Sequence, residues 1–188
     1  MNLFFTISRY FKIIIGLLFY LLIFASYASN ELDNSTQEER YRQAGHPATT
    51  PSMFNDLSYD SDASIRRRVA SNRKTPKNIL LRLAYDSDQA VKISLATNLS
   101  AADEVYQILA RDPMLAVRSV VARFEYVPII ALEILSKDKD VDIRLEVARN
   151  LNSTQAILTA LTHDLDNTVK AIAEQALQRL RDDEKLSF

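Results

Sequence analysis

The most restrictive feature of this sequence is a motif that recurs every 26 residues over most of its 188 residues. Each copy has an aspartate and, six positions later, a base. The aspartates are Asp60, Asp86, Asp112, Asp138 and Asp164, and the bases are Arg66, Lys92, Arg118, Arg144 and Lys170. A fixed period of this length is typical of repeat arrays, in which each unit stacks on the next.

Apolar columns follow the same period and predict helices. The clearest columns are Leu57, Leu83, Leu109, Leu135 and Leu161, then Ile65, Val91, Val117, Ile143 and Val169. Within a copy the apolar residues are spaced three or four apart, which is the helical and not the strand pattern. Arg40 and Ala44 lie 26 residues before Arg66 and Ala70, so a half-repeat opens the array. Because each aspartate and base recur in every copy, we expect them to form a structural ladder of hydrogen bonds between repeats.

Each copy is predicted to contain two short helices, since Asp86-Ser87-Asp88 supplies capping oxygens and Thr75-Pro76 is typical of a helix start. The first helices are predicted at 51–58, 76–84, 102–110, 128–136 and 154–162, and the second at 63–71, 88–97, 114–123, 140–149 and 166–181. A lead-in helix is predicted at 36–44, where Ser35 and Glu38 form a capping-box pattern. The predicted fold is all-α, a right-handed α-solenoid of about five two-helix repeats.

The motif Asp-x-Asp-x-x-Val-Lys-x-x-Leu-Ala-x-Asn over 86–98, with Thr-Pro and Leu-x-x-Leu-Ala over 75–84, resembles the HEAT-like repeats and, more narrowly, the leucine-rich repeat variant family. The resemblance covers about residues 40–180, which implies a repeat domain at 46–181 and a polar tail at 182–188. It implies an interaction scaffold. Some members of the narrower family carry a Cys-ligated iron–sulfur cluster, a feature that does not transfer to a chain without cysteine.

The first 28 residues have the order of a secretory signal peptide. Arg9 and Lys12 precede an apolar run over 13–25, and small residues at Ser26 and Ala28 predict cleavage after Ala28. A retained membrane anchor is the alternative, although the apolar stretch is shorter than the roughly 20 residues that cross a bilayer. A polar lead and the half-repeat helix then occupy 29–45. The expected location is the bacterial periplasm or the medium, with membrane contact only through an uncleaved 1–28.

Composition excludes several classes of catalytic site. The chain has no cysteine and two glycines, so thiolate chemistry, disulfides and Gly-rich phosphate loops are excluded. His46 shares a column with Asn72, Asn98 and Asn150, where we predict helix-end residues that tolerate the left-handed conformation. His163 is predicted in a solvent-facing turn. We therefore assign no catalytic, cofactor-binding or metal-binding residue.

Two surfaces are candidates for binding. The outward positions of the second helices form an outer stripe, predicted to bind a partner: Arg67, Ser71, Ile93, Thr97, Arg123, Leu145 and Arg149. A basic patch occurs early in the array: Arg66, Arg68, Arg73, Lys74, Lys77 and Arg82. Either this patch is a solvated face balanced by acids elsewhere, or it docks an acidic partner or an anionic envelope polymer.

The third repeat departs from the pattern, because Met114 replaces an aspartate and Phe124 replaces the asparagine, with Tyr126 two residues later. These residues either fill the core or contact a partner. With 23 basic and 24 acidic side chains, the chain shows no global preference for nucleic acid. The predicted function is a non-enzymatic protein-binding scaffold or structural subunit of an exported envelope assembly. The alternatives are a HEAT-like DNA-binding or DNA-repair protein and a HEAT-like lyase.

Overall fold

The computed structural model describes residues 36–186, with side chains described up to residue 182, and the chain divides into units 1–43 and 44–188. Every regular element of the described part is a helix. Helix α1 covers 36–45, which confirms the predicted lead-in helix. The others are α2 (Pro51–Leu57), α3 (Ala63–Ser71), α4 (Lys77–Leu83), α5 (Gln89–Ala96), α6 (Asp103–Leu109), α7 (Leu115–Arg123), α8 (Ile129–Leu135), α9 (Val141–Arg149), α10 (Gln155–Leu161) and α11 (Asn167–Leu186).

The predicted signal peptide or anchor at 1–28 lies outside the described residues. Among the helices that the structure describes, none is both long enough and apolar enough to cross a membrane.

Helix boundaries agree with the repeat pattern to within one residue in the first nine helices of unit 44–188. Each first helix, such as α4, has seven residues, and the residue after it still donates its N–H back into the helix, as Ala84 does to the carbonyl of Leu80. The predicted end of α11 at 181 is wrong, because this helix continues to Leu186. No glycine or proline follows Asn167 to stop it, and the Gln178 amide donates to the Asp182 carboxylate one turn later, at 3.0 Å.

The predicted apolar columns form the core. All five leucines of the first helices are buried, and so are all five β-branched residues that precede the bases in the second helices. Each second helix contacts the next, from α3 through α5, α7 and α9 to α11, while α4, α6 and α8 contact one another in turn. Neighbouring repeats therefore cover the apolar faces that a single helix pair leaves exposed.

The asparagine column has a role that differs from our prediction. No residue in the described part has a positive φ, and Asn72 is extended, at φ −78° and ψ 121°. The Asn98 amide instead donates to the carbonyl of Ala70 at 2.7 Å and to that of Asn72 at 3.1 Å, both in the preceding repeat. Its oxygen accepts the N–H of Ser100. The column is polar because it links repeats, and the left-handed interpretation is wrong.

Aromatic packing replaces this link in the third repeat. Phe124 occupies the asparagine position and cannot donate, but the Tyr106 hydroxyl donates to the carbonyl of Asn98 at 2.9 Å. The rings of Tyr106 and Phe124 stack with centroids 6.1 Å apart. Burial raises the pKa of Tyr106 to about 12, so the hydroxyl stays protonated as a donor. Phe124 therefore fills the junction, whereas Tyr126 packs edge-on against it and remains 61% exposed.

Truncating a central core leucine tests the shared core. We expect Leu109→Ala to lower the free energy of unfolding by about 2–5 kcal/mol, since it leaves a cavity between packed repeats. Leu161→Ala, in the last repeat, is expected to cost less. Leu165→Ala is the matched control, because Leu165 is 97% exposed and its loss should change stability by less than about 0.5 kcal/mol. Chemical denaturation measures all three, and equal effects would contradict the shared core.

Candidate interaction surface

A charged ladder of four ion pairs links successive repeats. In each pair the base of one second helix bonds the aspartate 20 residues later, which opens the next turn. The pairs are Arg66–Asp86, Lys92–Asp112, Arg118–Asp138 and Arg144–Asp164, with shortest N–O distances of 2.6–2.8 Å. The predicted ladder between repeats is thus confirmed.

Each ladder arginine also binds its own turn. Arg118 donates through Nη1 to the carbonyl of Asp112 at 2.8 Å, and Nε and Nη2 both reach the carboxylate of Asp138. Lys92 makes one bond, to Asp112 at 2.6 Å. The guanidinium thus satisfies two turns at once, which a lysine ammonium does not do here. These charges are engaged in holding repeats together.

Two of the ladder aspartates, Asp86 and Asp164, have lowered pKa values. Burial alone would raise the pKa of Asp86, because it favours the neutral form. The hydrogen bonds from Arg66 and from the N–H of Asp88, together with the nearby cations, outweigh the effect of burial and lower the pKa. For Asp164 the hydrogen bonds from Arg144 are the largest influence and also lower the pKa. Both carboxylates are therefore ionised well into the acidic range.

In the four described turns that have a second aspartate, this residue caps the following helix, as predicted. Asp62 accepts from the N–H of Ser64 at 2.7 Å, Asp140 accepts from that of Asp142, and Asp88 accepts from two N–H groups at the start of α5. Met114 leaves α7 without a side-chain cap. Within residues 36–186 no group of three or more metal-binding side chains is placed to hold an ion.

The outer stripe lies on four second helices that contact one another in succession, α3, α5, α7 and α9. Its members Arg67, Arg123 and Arg149 are exposed, whereas Ile93 and Leu145 are half-buried. Ser71 and Thr97 are also exposed and donate to carbonyls three residues earlier on their own helices. The structure therefore places the seven residues on four successive helices, three of them as exposed arginines and two as half-buried apolar side chains.

The basic patch divides into residues with different partners. Arg66 belongs to the ladder, and Arg82 stacks on Tyr59. Lys74 donates to the carbonyl of Pro47 at 2.8 Å, and Arg68 packs where a Cβ on Gly45 would collide with it. Arg73 and Lys77 are exposed. The six cations therefore have different partners in the structure, and their clustering along the sequence does not show this difference.

Both histidines lie where their columns predict. The Nδ1 atom of His46 accepts the N–H of Ala48 at 3.1 Å, as each asparagine oxygen accepts the N–H two residues later. His163 is exposed in a turn, near the carbonyl of Thr159. Each therefore has a local structural contact.

The side chains one residue before the ladder aspartates were predicted to lie in solvent-facing turns, and sequence reasoning did not identify them as a candidate binding surface. Tyr59 and Tyr85 are 66% and 73% exposed, and they occupy one column with Arg111 and Lys137. Both tyrosines line a groove of about 460 Å³ between the first two repeats. The sequence shows this column as two tyrosines followed by two bases, but we assigned no binding role to the turn columns.

Comparison with models of known protein families, with curated proteins and with solved structures finds no match to this chain.

Neutralising a ladder carboxylate tests its contribution in acid. The pKa values of Asp86 and Asp164 are lower in the folded state than in the unfolded state, where aspartate has a pKa near 3.9. Their ionised forms therefore stabilise the fold fully above the unfolded pKa, and this contribution is lost as the pH falls through the lower, folded-state pKa. We expect Asp86→Asn and Asp164→Asn to be less stable at pH 7 and to lose less stability than the parent below about pH 4. Urea unfolding at several pH values measures this. The exposed control Glu133→Gln should keep the parent's pH dependence, and a parent-like acid slope in both ladder variants would contradict the assignment.

Proposed function

We propose that residues 46–181 stack as a right-handed α-solenoid that works as a non-enzymatic protein-binding scaffold or structural subunit of an exported envelope assembly. This is the role implied by the resemblance to HEAT-like and leucine-rich repeat variant proteins. The observation that carries the proposal is the outer stripe, where side chains vary from repeat to repeat while the inward columns of the same helices are uniformly buried.

Repeated inter-repeat bonds support the solenoid. The ladder bonds residues 20 apart, and the asparagine amides bond carbonyls 28 residues earlier, as Asn72 does to Ala44 and Asn150 does to Ala122. The same spacing of bonds at successive junctions indicates that a similar rotation and translation relates each repeat to the next, as in a regular repeat array.

The chemistry of the stripe fits a protein partner. Exposed arginines offer forked donors to carboxylates, and the half-buried Ile93 and Leu145 supply apolar area beside them. Arginine is enriched among the side chains that dominate protein interfaces, so the three arginines are expected to contribute most of the binding. The ionic pair between the exposed Arg149 and the half-buried Glu146 is long, at 3.8 Å, and is weak enough to be exchanged for a partner's acid.

Duplex DNA is the second candidate ligand, favoured by the exposed cations Arg67, Arg73 and Lys77 in the first two repeats. Anisotropy titration of a labelled duplex separates the two functions. Binding that weakens steeply with salt would support phosphate contacts, whereas no binding at physiological salt leaves the protein-binding function.

The export part of the proposal depends on residues 1–28. We expect mass spectrometry of the chain isolated from cells that express the full sequence to show an N-terminus at Ser29, since the small residues at 26 and 28 favour cleavage after Ala28. An intact Met1 on a chain recovered from the membrane fraction would indicate the anchor. An intact Met1 in the soluble cytoplasmic fraction would contradict export.

Charge reversal on the stripe tests partner binding. We expect Arg67→Glu/Arg123→Glu/Arg149→Glu to fold normally, because all three side chains are exposed, and to lose the proteins that the parent captures from an envelope extract. Quantitative mass spectrometry of the captured proteins measures the loss.

The matched control is Arg42→Glu/Arg179→Glu/Arg181→Glu, which changes the net charge equally at exposed positions outside both the stripe and the basic patch. It should retain the same captured proteins. Retention by the stripe variant, or an equal loss in both variants, would show that the stripe is not the interface.

A further inference from the structure

Three grooves follow one another along the turns that join the first and second helices. Their volumes are about 460, 410 and 350 Å³, and they lie between repeats one and two, two and three, and three and four. Tyr85 lines the first and second grooves, and Arg111 lines the second and third. Because neighbouring grooves share lining residues, they form a single row, here called the turn row.

The turn row changes from aromatic to cationic along its length. Tyr59 and Tyr85 stand at its first groove, whereas Arg111, Lys137 and Lys139 surround its third. The aspartates of the third groove, Asp112 and Asp138, are paired with Lys92 and Arg118, so the exposed cations are left as excess positive charge. An occupant with apolar groups at one end and carboxylates at the other is complementary to this row.

The first tyrosine is fixed in place before any ligand arrives. The Arg82 guanidinium lies 3.8 Å from the centroid of the Tyr59 ring and donates to its hydroxyl at 2.8 Å. Arg82 also bonds Ser58 and the Asn55 side chain. The ring nevertheless stays two-thirds exposed, so it is a rigid aromatic platform whose ordering costs little on binding.

The spacing of the row selects the conformation of the occupant. Packed helices lie about 8–10 Å apart, which sets the distance between equivalent residues of neighbouring repeats. A polyproline II chain has three residues per turn and rises about 3.1 Å per residue, so every third side chain faces the same way about 9.3 Å further on. Tyr59, Tyr85, Arg111 and Lys137 can thus each meet every third residue of one such chain, and aromatic-lined grooves suit proline-rich ligands.

We propose that the turn row binds an extended, proline-rich segment of a partner polypeptide in the polyproline II conformation. Two apolar residues of this segment, three positions apart, lie on Tyr59 and Tyr85. Two acidic residues, three and six positions beyond the second apolar residue, pair with Arg111 and Lys137. This surface is separate from the outer stripe, because its residues lie in the turns and not on the outward positions of the second helices.

Fluorescence anisotropy with designed peptides tests the proposal on the chain isolated from cells that express the full sequence. The probe is a labelled dodecapeptide that is proline throughout except for glutamate at its seventh and tenth positions, tested together with its reversed sequence because the chain direction is open. At least one of them should bind saturably. A peptide of equal composition with its glutamates at the sixth and eleventh positions should bind at least about tenfold more weakly, since its acids face different sides of the helix.

Variants of exposed residues locate the binding. Tyr59→Ala/Tyr85→Ala and Arg111→Glu/Lys137→Glu should each weaken the probe by about tenfold or more. The controls Tyr126→Ala and Arg73→Glu/Lys77→Glu, which remove a similarly exposed tyrosine and two exposed cations elsewhere, should stay within about twofold.

Several results would overturn the proposal: no binding of either peptide, equal binding of the mis-spaced peptide, or equal binding by both turn-row variants. Equal binding of a peptide with glycine in place of proline would show charge attraction alone and would also overturn it. The stripe variant Arg67→Glu/Arg123→Glu/Arg149→Glu should bind the probe like the parent. The outcome of the peptide test is therefore independent of whether the stripe variant loses the captured envelope proteins.

Discussion

In three of the four ladder pairs one arginine holds two turns together, and the packing of the repeats depends on this contact. The ladder arginine donates to a carbonyl of its own turn and to the carboxylate that opens the next turn. That carboxylate also accepts the N–H two residues later, as Asp138 does from Asp140. Pairs like these contribute little net stability, because desolvation offsets the attraction, but a misplaced repeat would leave both charges buried without partners. The ladder therefore specifies the register in which the apolar columns meet.

The periodic features were predictable from sequence, and the departures from the period were not. The two-helix repeat, the caps and the ladder recur in column after column, so several independent positions report the same structure. The asparagine column was found but misinterpreted, because a contact 28 residues away leaves no local signal. Tyr106 was not identified as a compensating donor, since its partner Phe124 lies in a different column.

The candidate surfaces differ in the same way. The outer stripe could be placed because helical geometry converts the buried columns into outward positions. The turn row could not be placed from the sequence, because it depends on side chains of different repeats that meet across a groove. It also depends on the stacking of Arg82 on the Tyr59 ring. In both surfaces the variable side chains occupy columns that the ladder and the core do not use. Side chains in these columns can therefore change without loss of the fold.

The junction between repeats two and three combines two of these departures. Lys92 gives it one ladder bond where each arginine gives a forked set, and Phe124 removes the amide that elsewhere donates to two carbonyls of the preceding repeat. The Tyr106 hydroxyl supplies the remaining donor across this junction, to the carbonyl of Asn98 at the end of repeat two. The rings of Tyr106 and Phe124 both belong to repeat three, so their stacking fills that repeat and does not bridge the junction. The junction is therefore held by fewer side-chain hydrogen bonds than the junctions on either side, and its geometry depends more on apolar contact than on directional bonds.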